Sequence, residues 1–204
     1  MPTIEAPPTN LPQPDALPSP ERQIPRIRVI LNGQQQGAAM LFDKVGETHE
    51  IVGVVATTLR DKDGNKDPLR QKALEAGIPV VNLGDINLSN NNFTQEKYDS
   101  ANHKLRDMKA DLAIGFYLQP TMSDETIAIP EFGSANTHFS LLPLNAGRDS
   151  MNRDVLEGND LGITVFMMNE IIDGGDIVDQ KSFPNPGPIT TSISRSESTS
   201  EMTL

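Results

Sequence analysis

The chain has 204 residues, a formal net charge of −11 and no cysteine. That length sets an expectation of one main domain, and without thiols neither a disulfide framework nor a thiolate metal site can form. The acidic balance argues against a broad nucleic-acid surface, because phosphate contacts need Lys and Arg, and no run approaches the roughly 18–20 apolar residues of a membrane span.

Residues 1–25 hold eight of the 16 prolines and read as an extended, disordered arm. Ile27 to Leu31 is a β-branched run that ends at Asn32-Gly33, a strand followed by a turn. Gln34 to Val45 carries helical apolar spacing at Ala38, Leu41, Phe42 and Val45. Ile51 to Thr57 is nearly all apolar, as a strand buried on both faces of a parallel sheet would be. Asp61 to Lys66 is a charged loop with a turn at Asp63-Gly64. Asp67-Pro68 opens a helix with a cap and a first-turn proline, and Gly77 closes it. Ile78 to Val81 follows as a strand. Gly84 to Phe93 is polar and Asn-rich and reads as a mobile loop.

Gln95 to Met108 has the character of a helix and Asp111 to Phe116 that of a strand. A short helix at Asp124 to Ile127 precedes a strand at Ser134 to His138. Asp149 to Leu156 reads as helix ending near Gly158, and Gly162 to Met168 as strand. Another strand starts at Asp176 to Val178. The tail from 184 to 204 is rich in Ser, Thr and Pro and reads as disordered. Strands alternating with helices imply an α/β protein with three layers and a mostly parallel sheet, occupying residues 26–183. The N-terminus has no apolar h-region and is not Arg-rich, so a cytoplasmic location is expected.

Ligands of such sheets sit beyond the carboxyl ends of the strands. Asn136 and His138 fall at such an end, two residues apart, and so point to the same side. Asp173 follows 35 residues after His138, in the loop after another strand. On spacing alone, the plainer reading is a histidine satisfied in the core and a turn aspartate. An amide, an imidazole and a carboxylate also suit acyl transfer. The amide can donate to a developing oxyanion, the ring can donate a proton to it, and the carboxylate can hold the ring charged.

The surrounding words decide between these readings. Ser140-Leu-Leu-Pro143, Gly147, Gly162-Ile-Thr-Val165 and Asp173-Gly-Gly-Asp176 stand in order and at matching spacing. Together they resemble the formyltransferases that use 10-formyltetrahydrofolate, over about Arg26 to Ser182. The resemblance implies a Rossmann-like three-layer fold and transfer of a formyl group to an amine, with no metal. It implies that Asn136, His138 and Asp173 are catalytic. It also implies that the folate lies against backbone at Phe116, Tyr117, Leu118 and Gln119 and near Asn169, with Leu142 and Pro143 walling the site.

The words are most like those of methionyl-tRNA formyltransferases, so an aminoacyl-tRNA amine is the first expected acceptor, with a small-molecule amine as the alternative. Nucleotide-sugar amines and glycinamide ribonucleotide are the alternatives of that kind. Water is another, because Asp61 to Leu69 resembles the hydrolase domain of formyltetrahydrofolate dehydrogenase. An inactive folate-binding relative stays open as well. The family's Arg before Gly147 is Ala146 here, and its Thr after the catalytic Asp is Gly174. The turn at Gly33 to Gly37 lacks the Ser or Thr with which glycinamide ribonucleotide enzymes open the next helix, and reads as an ordinary strand-to-helix turn.

Overall fold

The computed structural model describes residues 25–57, 64, 66–91, 93–116, 118 and 122–185. The expectations for the arm, the charged loop at 61–63, Tyr117, Gln119 and the tail beyond 185 lie outside the described residues.

Among the described residues seven strands form one sheet in the order β3-β2-β1-β4-β5-β6-β7. They are β1 (Arg28–Gly33), β2 (Glu50–Ala56), β3 (Val80–Asn82), β4 (Leu112–Phe116), β5 (Ser134–His138), β6 (Leu161–Met167) and β7 (Ile177–Phe183). The first five pair in parallel, and β6 and β7 add antiparallel strands at one edge. Among the described residues six helices accompany them: α1 (Gln35–Thr48), α2 (Pro68–Glu75), α3 (Leu83–Ile86), α4 (Gln95–Asp107), α5 (Asp124–Ile127) and α6 (Ser150–Glu157).

The alternation of β1 sorts its side chains between two layers. Val29 and Leu31 pack with Ala38 and Val45 of α1 and Leu69 and Ala73 of α2. Ile30 faces the other way, with Ala101 and Leu105 of α4 and Leu83 and Ile86 of α3. Burial on both faces is why β1 and β2 read as continuous apolar runs. A third cluster, Val155, Leu161 and Phe183, seats α6 against β6 and β7.

Two boundaries differ from the sequence reading. Asn32-Gly33 stays in β1 rather than turning, because the strand is paired on both sides up to Gly33, opposite Ala56 and Phe116. The third strand starts at Val80, not Ile78, since Ile78 is held by a bond from its N–H to the Ala73 carbonyl at the end of α2. The polar stretch from Gly84 is also not bare of anchors. It begins within α3, whose Leu83 and Ile86 are buried. Asn side chains then do locally what backbone ladders do elsewhere. Asn82 Oδ1 accepts from the Gly84 N–H, and Asn90 Nδ2 donates to the Gly84 carbonyl.

Candidate active site

Strand β5 brings Asn136 and His138 to one face by its pleat, and both are buried. The Asn136 amide lies over β4. Its Oδ1 accepts from the Leu118 N–H at 3.3 Å, and its Nδ2 faces the Leu118 carbonyl at 3.5 Å. Gly115 sits directly across the ladder from Asn136. A Cβ there would come within 2.7 Å of Asn136 Oδ1, so only glycine lets the amide lie down against the sheet. The pinned oxygen leaves Nδ2, with its long contact, as the donor able to serve another acceptor.

Asp173 arrives by a less direct route than its sequence position suggests. Strand β6 is antiparallel to β5, with Ala135 opposite Met167 and His138 opposite Thr164. The chain therefore leaves β6 beside the start of β5, at the wrong end for His138. The segment after Met167 has to double back along the sheet to reach it. Asn169 organises that return, with Oδ1 accepting from the Ile171 N–H at 2.9 Å and Nδ2 donating to the Gly174 carbonyl at 3.4 Å. Asp173 itself adopts a left-handed conformation, φ 52°, which Asp tolerates better than most residues. Its Oδ2 ends 3.3 Å from His138 Nδ1 and accepts from the Gly147 N–H at 2.8 Å. The pair is well enclosed, its side chains 8% and 14% exposed.

The other ring nitrogen of His138, Nε2, lies 3.2 Å from the backbone carbonyl of Asn145. Both nitrogens thus face oxygen acceptors, and only the imidazolium can donate to both at once. Asn145 was not foreseen. Its signal in the sequence is faint, an Asn a few residues past a proline, where a left-handed turn can form. Its φ is 51°.

The residues expected around the folate fall into separate roles. The Phe116 ring is in the apolar layer, edge-on to Phe139 at 5.6 Å, while the backbone just beyond it carries the Leu118 groups that hold Asn136. Leu142 is buried. Its N–H donates to Thr164 Oγ1 and its carbonyl accepts from Gln180 Nε2, which ties the turn before Pro143 to β6 and β7. Asn169 belongs to the loop that carries Asp173. Among the described residues no group of three or more His, Asp and Glu side chains could hold a metal ion.

The α/β sheet thus brings an amide and an imidazole to the end of its fifth strand and a carboxylate from a later loop beside the imidazole. The family model described as "Formyl transferase" matches residues 25–191, and the chain belongs to that family. Its members are enzymes that transfer formyl groups and take them from 10-formyltetrahydrofolate. The chain is 32% identical to the methionyl-tRNA formyltransferase of Prochlorococcus marinus (strain MIT 9211), over 81% of this chain and 44% of that protein. It is 31% identical to the cytosolic 10-formyltetrahydrofolate dehydrogenase of Xenopus laevis, over 76% of this chain and 17% of that one. The chain therefore spans less than half the length of these relatives. The solved glycinamide ribonucleotide transformylase 1 of Symbiobacterium toebii shares the fold, with a TM-score of 0.70 at 18% identity over 87% of this chain and 82% of the other.

Proposed function

We propose that this chain moves a formyl group from 10-formyltetrahydrofolate to an amine, with methionyl-tRNA as the first candidate acceptor. The observation that carries the reading is the pairing of buried His138 with the largely enclosed Asp173, 3.3 Å apart, on the same face as the pinned amide of Asn136. Ile171 and Ile172, directly before Asp173, are large apolar side chains left 60% and 68% exposed. They offer cover to a flat heterocycle, and the neighbouring donors suit its formyl oxygen.

The donor supplies an activated one-carbon group on a nitrogen that can leave. Asn136 Nδ2 and the protonated ring of His138 donate to the formyl oxygen as the amine attacks and negative charge builds there. These donors are fixed before the reaction, so they cost no reorganisation at the moment of charge development. Asp173 keeps the ring charged. It also accepts, through water, the proton that the amine sheds, which then passes to the departing folate nitrogen. The new bond joins the amine nitrogen to the formyl carbon, and the bond to the folate nitrogen breaks. The products are a formamide and tetrahydrofolate.

Identity to a methionyl-tRNA formyltransferase at 32% supports the first acceptor. Water is the second reading, supported by 31% identity to a formyltetrahydrofolate dehydrogenase. Measuring tetrahydrofolate release separates them. Release that requires methionyl-tRNA supports transfer. Release at the same rate without any amine supports hydrolysis. No release, with folate still bound, would leave an inactive relative as the reading.

A further inference from the structure

Loop residues 143–147 are held from behind by α6 in a way that no catalytic reading of Asn136, His138 and Asp173 requires. Arg153 on α6 points its guanidinium into the loop. Its Nη2 donates to the Asn145 carbonyl at 2.8 Å and to the Ala146 carbonyl at 2.7 Å. The next residue, Asp154, is 1% exposed and accepts from Asn145 Nδ2 at 2.6 Å, and Glu157 Oε2 takes the same amide at 3.2 Å. Asn145 is thus gripped at both its carbonyl and its side chain, in a left-handed conformation with φ 51°. The gripped carbonyl is the one that faces His138 Nε2. A carbonyl oxygen has two lone pairs, so it can serve the ring and the guanidinium together.

We propose that Arg153 is a positioning residue for His138, acting through the Asn145 carbonyl. The carbonyl holds the Nε2 proton, which fixes the ring plane. Nδ1, which faces Asp173 Oδ2 at 3.3 Å, is then the nitrogen on the site side, and its proton is shared between that carboxylate and the formyl oxygen as charge builds there. Which nitrogen of a histidine is free for chemistry is set by the bond the other one makes. Here that bond is to a backbone atom, so its place depends on whatever holds the loop. The ring and the guanidinium meet at one oxygen, with Asp173 beside His138 and Asp154 holding the Asn145 side chain. Both bonds come from one nitrogen, Nη2, so a lysine ammonium, on a shorter stem, recovers them only in part.

The inference rests on the formyl-transfer reading for its consequence in rate, but not for its ring geometry. Long-range proton–nitrogen spectra of His138 in the whole chain test the geometry. In the parent chain Nε2 should carry a slowly exchanging proton. Arg153→Ala should lose that slow proton while the amide spectrum stays that of a folded protein, and Arg153→Lys should fall between. In single-turnover formyl transfer, Arg153→Ala should be slowed about ten- to a hundred-fold, the scale of a small misplacement of a catalytic group. Affinity for the folate donor should barely change, and Arg153→Lys should recover part of the rate. An Nε2 signal indifferent to Arg153→Ala would overturn the proposal. Should that variant not fold, the same indifference in Arg153→Met, which keeps the apolar stem without a donor, would overturn it. A parent chain with no formyl transfer but with the expected ring spectrum would sink the functional reading and leave the positioning role standing.

Discussion

The two halves of the sheet are built to different rules. From β1 to β4 the strands are parallel, apolar and sandwiched between helices, and their short side chains sort by alternation. From β5 to β7 the chain reverses direction twice and fills with polar groups. Of the 11 buried polar or charged residues among those described, seven lie from Ser134 onward. Asn145, Asp149 and Asp173 in this half hold left-handed backbone without being glycine, against Gln35 and Lys109 in the other. The first half makes a platform from generic hydrophobic burial. The second uses specific hydrogen bonds and costly conformations to aim a few side chains. Strain of this kind is tolerated where the surroundings over-determine it.

The sharpest way to break the comparison is to damage the platform and look for an effect on chemistry. Leu31→Ala removes a fully buried side chain from the β1 layer that packs on α1 and α2. It should cost about 2–5 kcal/mol of folding stability through lost burial and the cavity left behind. Under conditions where the variant is still folded, its rate per folded molecule should match the parent. A denaturant titration and an activity assay on the same sample check both halves of the statement. A rate loss in fully folded Leu31→Ala would show that the platform and the site are one unit.

The converse experiment acts on the site. His138→Ala and Asn136→Ala each remove one preorganised donor. Each should slow single-turnover transfer by roughly a hundred- to a thousand-fold, or about 2.7–4 kcal/mol, with a much smaller fall in folate affinity. Asp173→Asn keeps the shape and the tolerance for left-handed backbone while removing the charge beside His138. On the proposed mechanism these groups serve one oxyanion, so His138→Ala combined with Asp173→Asn should lose far less than the sum of the single losses. Strictly additive losses would dissolve the unit.

The same division explains what could be read from the sequence. The parallel half was legible because its signal is periodic: apolar runs at Val29 to Leu31 and Ile51 to Ala56, and caps such as Asp67 before Pro68. There the family words only confirm what alternation already says. The antiparallel half was legible only through those words. Nothing in the spacing of His138 and Asp173 says that β6 runs backward, and so nothing says that the Asp173 loop must fold back to meet the histidine. The Asn145 carbonyl was invisible for a plainer reason. It is a backbone atom, and its placement depends on a left-handed turn and on a guanidinium from another element. The α3 turn was missed because it is four residues long, too short for its two buried apolar side chains, Leu83 and Ile86, to show a helical period.

One position lets the platform speak to the site. Gly115 is in β4, yet a Cβ there would press on Asn136 Oδ1 at 2.7 Å. Gly115→Ala must therefore displace the amide, at an overpacking cost of about 1–3 kcal/mol. The loss should show more in rate than in stability, because the side chain that yields is Asn136. A crystal structure of the variant should find the Asn136 amide lifted away from Leu118. A variant of parental activity would mean that the amide need not lie flat on β4.

The smallest effect is expected where contact geometry alone would suggest a large one. Lys72 Nζ reaches both carboxylate oxygens of Asp43, at 2.6 and 2.8 Å, and so bridges α1 and α2 on the outside of the platform. The side chains are 36% and 59% exposed. Water solvates both charges when they are apart, salt screens them when they are together, and holding two side chains in one geometry costs entropy. Exposed pairs of this kind contribute about 0–1 kcal/mol. Asp43→Asn should therefore move the denaturation midpoint only slightly, less so in high salt, and leave formyl transfer untouched. The helices are held by Leu69 and Ala73 beneath the pair, buried against the β1–β2 layer. A loss of several kcal/mol in Asp43→Asn would mean that generic burial does not by itself hold the platform together, and the contrast between the two halves would weaken with it.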